Sequence, residues 1–97
     1  MVKVIAHNFI KKENLAAAMP LYEKMVAATR KEDGCIQYEL YRDNEDETHF
    51  VFDEAWESQA HLDAHVKTEH FVTLIPQIGA LSDDSRAKDV QKFTLVY

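Results

Sequence analysis

Two histidines, His65 and His70, follow a stretch in which a carboxylate alternates with aromatic side chains, Phe50, Phe52, Glu54 and Trp56. Imidazole is the side chain best suited to take up a proton near neutrality, because its ordinary pKa of about 6.5 lies close to working pH. His65 is the first candidate base, since it is expected to share an inward helix face with Leu62, Val66 and Glu69. His70, where two helical pieces join, is the second. A plain structural reading stands beside each: His65 hydrogen-bonded to the sheet, His70 a capping or packing group, because buried polar groups find partners. Burial among apolar groups would raise the pKa of Glu54 and make it a proton carrier; the alternative is a paired or interfacial carboxylate. Phe50, Phe52, Trp56 and Phe71 either wall a pocket or fill the core. Asn8 and His7, ending the first apolar stretch, are placed to orient a substrate oxygen.

Other chemistries have weaker support. His61 and His65 lie four apart, a helical spacing that can put two imidazoles on one zinc ion, with His70 or Glu69 as a third ligand. No Glu follows His61 as in His-Glu-x-x-His and the chain has one cysteine, so no metal site is expected and His61 is read as facing solvent. Cys35 reads as a packed thiol in a strand. Two separated glycines cannot build a phosphate-cradling loop, and no Gly-x-Ser-x-Gly elbow occurs.

The charge balance narrows the partners. Seventeen carboxylates face eleven Lys and Arg, giving −6, and protonating all five histidines would still leave the chain negative. Nucleic acid binding, which needs a basic footprint, is not expected. A lone cysteine fits a reducing, cytoplasmic setting. Met1 to Lys12 lacks the apolar run of a signal peptide, and no segment approaches the roughly 20 apolar residues of a membrane span. With 97 residues there is room for one domain, 1–97, with a modest core that association would help to stabilise.

The elements that must position these residues follow from periodicity. Val2 to Phe9 reads as a strand with apolar groups on both faces. From Asn14, a plausible N-cap, the residues Leu15, Met19, Tyr22, Met25, Val26 and Thr29 recur at helical spacing, with Pro20 discordant. Asp33-Gly34 stops that helix. Cys35–Tyr41 and His49–Trp56 alternate with period two and form a hairpin across the polar turn 43–47. Ser58 caps a short helix through Leu62, His65 and Val66. A further helix carries Phe71, Leu74, Ile75 and Ile78 and ends at Gly79; a polar loop, 80–88, leads to a last strand, Val90–Tyr97. Strand, helix, strand, strand, helix, strand is the split βαβ arrangement of an α+β, ferredoxin-like domain with a four-stranded antiparallel sheet. Its helices cover one face only. The other face is left apolar, so a homodimer formed sheet on sheet is expected.

The run Asp33-Gly34-Cys35-Ile36-Gln37-Tyr38-Glu39-Leu40, followed by Phe52-Asp53-Glu54-Ala55-Trp56 and the spaced His65 and His70-Phe71, resembles the antibiotic biosynthesis monooxygenase (ABM) family. The resemblance spans Val2 to about Ile78. It implies a dimeric α+β barrel with a pocket in each subunit between sheet and helices, lined here by Asn8, Phe52, Glu54, Trp56 and Phe71. It also implies a small-molecule substrate and dioxygen as partners. Such members are cofactor-free monooxygenases on phenols or quinols, haem-degrading enzymes, or an isomerase of a phosphorylated signal. The haem-degrading set does not carry over: its helix tryptophan falls at His65 and its iron-ligating histidine near Ile75. The expectation is therefore a cofactor-independent oxygenase acting on an electron-rich aromatic or quinol. A proton-transfer enzyme on a small oxygenated metabolite, and a non-catalytic dimeric stress-response binding module, are the alternatives.

Overall fold

The computed structural model describes residues 1–97. Strand β1 (Val2–Phe9) leads through a 3-10 turn (Lys12–Asn14) into α1 (Leu15–Thr29), then β2 (Cys35–Asp43), β3 (Asp46–Trp56), α2 (Gln59–His65), α3 (Glu69–Ala80) and β4 (Asp89–Thr94). The four strands form one sheet in the order β2-β3-β1-β4, every pair antiparallel. This is the ferredoxin-like arrangement the element order calls for. No helix is long and apolar enough to cross a membrane.

Period-two alternation sorts the strand residues onto two faces. Val4 pairs with Glu54 and with Lys92, Ala6 with Phe52 and with Val90, and Tyr38 with Glu54, so these side chains share the helix-covered face. The core lies there: Val4, Tyr38, Phe50, Phe52 and Trp56 of the sheet pack against Ala18, Tyr22 and Met25 of α1, Leu62 of α2, and Leu74 and Ile78 of α3. The opposite face carries Ile5, His7, Phe9, His49, Val51 and Phe93.

Several local details differ from the sequence reading. The inward stripe of α1 is Ala18, Tyr22, Met25 and Thr29, while Met19 is exposed. The helix runs through Pro20. Pro20 removes the donor to the Ala16 carbonyl, and both residues are exposed, so water can take its place. Asn14 precedes α1 but its side chain caps nothing; its Nδ2 donates to the Leu81 carbonyl at 3.2 Å, tying α1 to the end of α3. Gly79 lies inside α3, which ends at Ala80. β4 stops at Thr94 because it pairs with β1, and β1 begins at Val2. Gly34 has φ +79°, and a Cβ there would overlap the His61 ring, so this turn needs glycine for both its backbone and its neighbour.

Candidate active site

The site starts at the turn after α1. Arg30 Nε donates to the Tyr38 carbonyl at 2.9 Å, which pins the turn to β2 and holds Glu32 over the sheet. Glu32 Oε2 then lies 2.7 Å from His65 Nδ1 and 2.7 Å from His70 Nε2. A carboxylate oxygen can only accept, so both rings donate to it, which leaves Nε2 of neutral His65 with the lone pair. Two capping residues place the rings. Ser58 Oγ caps α2, which ends at His65. Thr68 Oγ1 caps α3 by accepting from Phe71 N, donates to the His65 carbonyl at 2.8 Å and lies 3.2 Å from His70 Nε2.

His65 is 2 % exposed. Its ring lies 4.6 Å from Trp56, 5.1 Å from Phe71 and 5.5 Å from Tyr38, centroid to centroid. Burial pushes its pKa below 6.5, against the opposing pull of the Glu32 carboxylate. The ring is therefore a neutral base at neutral pH. Glu54 is buried on the same face and accepts from Trp56 Nε1 at 3.0 Å. Burial raises its pKa to about 7, the indole hydrogen bond opposing and the Glu32 and Asp53 charges adding to the rise. Glu54 is thus a buried carboxylate with a partner. Burial raises the Tyr38 hydroxyl as well, keeping it a phenol.

A cavity of about 330 Å³ opens beside these groups, between sheet and helices. Asn8, Tyr38, Phe52, Glu54, His65 and Phe71 line it together with Val4, Ala6, Leu62 and Ile75, while Lys88, Val90, Lys92, Asp63 and Val66 also border it. Trp56 and His70 are not among the lining residues: Trp56 is fully buried and in contact with His65, and His70 reaches the site through Glu32. Phe50 packs on Tyr22 in the core. His7 also borders the cavity, while its ring bonds His49 on the opposite face of the sheet.

Glu69 is exposed rather than inward, because α2 stops at His65 and α3 starts a new helical phase at Glu69. His61 is not turned to solvent: its ring packs over Gly34 and lies 2.7 Å from Ser58 Oγ. It groups with Asp33 and Glu57, whereas His65 groups with Glu32 and His70, so the two histidines fall in separate clusters. The second group, with its ligand atoms within 4.8 Å of one another, contains the residues that could hold a metal beside the cavity. Cys35 is half-buried at the start of β2, and burial pushes its thiol up, consistent with a packed thiol.

Residues 1–77 match the family model for antibiotic biosynthesis monooxygenase. The chain belongs to that family. Among its relatives, a candidate monooxygenase of Mycobacterium tuberculosis, Rv0793, is 34% identical over 80 residues, 82% of this chain and 78% of that protein. An uncharacterized Synechocystis protein, sll1783, is 33% identical over 69 residues; the match takes in 70% of this chain but only 47% of that longer protein. A crystal structure of an antibiotic biosynthesis monooxygenase superposes with a TM-score of 0.94 at 42% identity, covering 100% of both chains.

Glu32, which joins His65 and His70 in the candidate site, is a residue that sequence reasoning missed. It sits in the run Arg30-Lys31-Glu32-Asp33, which reads as a solvated turn. Thr68 carried a usable signal, a hydroxyl residue just before Glu69 and an apolar helical stretch.

Proposed function

We propose that this chain is a cytoplasmic, cofactor-independent monooxygenase that oxidises a small electron-rich aromatic or quinol in the cavity beside His65. The observation that carries the reading is a neutral, buried imidazole at the wall of an apolar cavity, its Nδ1 tied to the Glu32 carboxylate. A bound phenol would give its proton to His65 Nε2, and the imidazolium formed would be steadied by Glu32. The resulting anion is rich enough in electrons to reduce dioxygen itself, so the substrate is the reductant. A C–O bond forms at ring carbon, the O–O bond then breaks, and that carbon loses its hydrogen. One oxygen stays as the quinone carbonyl and the other leaves as water, so that phenol plus dioxygen gives quinone plus water. Glu54, protonated up to about pH 7, supplies a proton to the departing oxygen. His70, with its side chain 21% exposed, shares Glu32 and connects the network toward solvent for proton exit. Apolar walls exclude water that would quench the anion.

The reading includes a homodimer. Ile5, Phe9, Val51 and Phe93 on the open face support sheet-on-sheet packing into a dimeric α+β barrel, with residues 1–97 forming a single domain.

The test is oxygen uptake by the purified chain with hydroquinones and naphthols under labelled dioxygen. One labelled atom per product, with an unchanged rate after chelation, is the expected result. Substrate conversion without oxygen would assign the His65 and Glu54 pair to proton-transfer isomerisation instead. Ligand binding without conversion in either atmosphere would make the chain a non-catalytic binding module.

A further inference from the structure

Lys88 and Lys92 give the cavity a feature that the oxidation chemistry does not use. The helix-covered face carries a cross-strand row, Lys92, Val4, Glu54 and Tyr38, read from the pairs Val4 with Lys92, Val4 with Glu54 and Tyr38 with Glu54. Neighbouring strands are about 4.8 Å apart, so the backbone of Lys92 is roughly 10 Å from that of Glu54 and roughly 14 Å from that of Tyr38. Between the ends lies an apolar floor, Val4 with Ala6 in the next row. Lys88 precedes β4 and reaches across to α3, its Nζ 3.6 Å from where a Cβ on Gly79 would stand. Both lysines border the cavity and neither takes part in an ion pair, in a chain whose net charge is −6. Asp63 also borders the cavity, and its Oδ1 is occupied by the Gln59 amide at 2.9 Å.

An apolar trough with an acid–base pair at one end and two unpaired ammonium groups at the other suits a ligand divided the same way. We propose that the cavity takes an aromatic or quinol bearing an anionic group, a carboxylate or a phosphate, with the ring beside His65 and the anion held by Lys88 and Lys92. This deepens the proposed function and rests on it for the position of the ring. A neutral ring would fill the trough yet leave both exposed cations to solvent alone. Arginine's rigid fork is absent, so the lysines act as two mobile point charges, which favours charge recognition over one fixed geometry.

The test uses two fluorescent probes of the same ring system, anionic 8-anilinonaphthalene-1-sulfonate and neutral N-phenyl-1-naphthylamine, titrated into the full chain and into Lys88→Gln/Lys92→Gln. The double variant is expected to weaken the sulfonate by about tenfold relative to the neutral probe, the size of two partly solvated charge contacts. An unchanged ratio overturns the proposal. Val90→Trp, at an exposed position bordering the cavity, should weaken both probes; sulfonate binding untouched by it also overturns the proposal. Displacement of the sulfonate by 1-naphthoate or by 1-naphthyl phosphate then identifies the anion, and displacement by neither counts against it. Probe selectivity without oxygen uptake retains the anion subsite and removes the oxygenase reading. Oxygen uptake without selectivity does the reverse.

Discussion

The protein holds two histidine pairs, one on each face of its sheet, and each is hydrogen-bonded to a carboxylate. On the helix-covered face, His65 and His70 share Glu32 Oε2 among aromatic rings. On the open face, His7 Nδ1 lies 3.0 Å from His49 Nε2, and His49 Nδ1 lies 3.0 Å from Asp43 Oδ2. The open-face rings stack with centroids 5.2 Å apart, His49 stacks on Phe9, and the Arg86 guanidinium sits 4.0 Å over Phe9. The residue types are alike; the solvation is not. The His65 side chain is 2% exposed, against 18% for His49 and 36% for Asp43. Burial lowers the His65 pKa, the Glu32 carboxylate opposing. On the open face, hydrogen bonds from Glu45 N and His49 lower the Asp43 pKa instead. The same residue types make a candidate base where water is excluded and a surface hydrogen-bond chain where it is not.

That contrast can be broken at its most desolvated carboxylate. Glu54 titrates at 4.5 when unperturbed and at about 7 in the fold. Folding therefore favours its protonated form, so the stability it contributes is complete below pH 4.5 and is lost as pH rises through about 7. Glu54→Gln keeps an acceptor for Trp56 and removes that loss. Urea unfolding should find the variant near wild type at pH 4 and more stable by about 3 kcal/mol at pH 8. Equal gains at both pH values would mean that Glu54 is not desolvated.

Glu32→Gln comes next. It replaces the carboxylate that accepts from two rings, and charge-assisted bonds of this kind are worth about 2 kcal/mol. The variant should unfold at lower urea. It also removes the main influence that raises the His65 pKa, so the midpoint at which activity rises with pH should move further below 6.5. An unmoved midpoint would show that another group sets it.

Much of the frame was legible because strand alternation and helix spacing are local. The element order, the hairpin, the Ser58 cap and the common face of Phe50, Phe52, Glu54 and Trp56 all follow from it. Glu32 was not, because its contacts to His65 and His70 span 33 and 38 residues and nothing in a charged turn marks the partner. The helical phase was misread at Glu69 for a physical reason: Thr68 starts a new helix, and no continuous stripe crosses it. The places of His61 and His7 depended on Gly34 and on a cross-strand partner, neither of which sits next to them in sequence.

The open face offers the gentler tests. Ile5→Glu puts a charge on the surface proposed to meet a second copy, and sedimentation should then find a folded single chain where wild type sediments as a pair. A paired Ile5→Glu variant would move the interface elsewhere. Asp43→Asn keeps most of the local hydrogen bonds, and its melting temperature and oxygen-uptake rate should stay at wild-type values. A large loss of rate would join the two histidine pairs functionally and end the contrast.

The most direct test is the saturated rate of oxygen uptake with a quinol by His65→Ala, its fold checked by circular dichroism. A general base contributes on the order of a hundredfold or more, so kcat should fall by at least that factor while the quinol still binds. A folded variant that consumes oxygen at the wild-type rate would contradict the account.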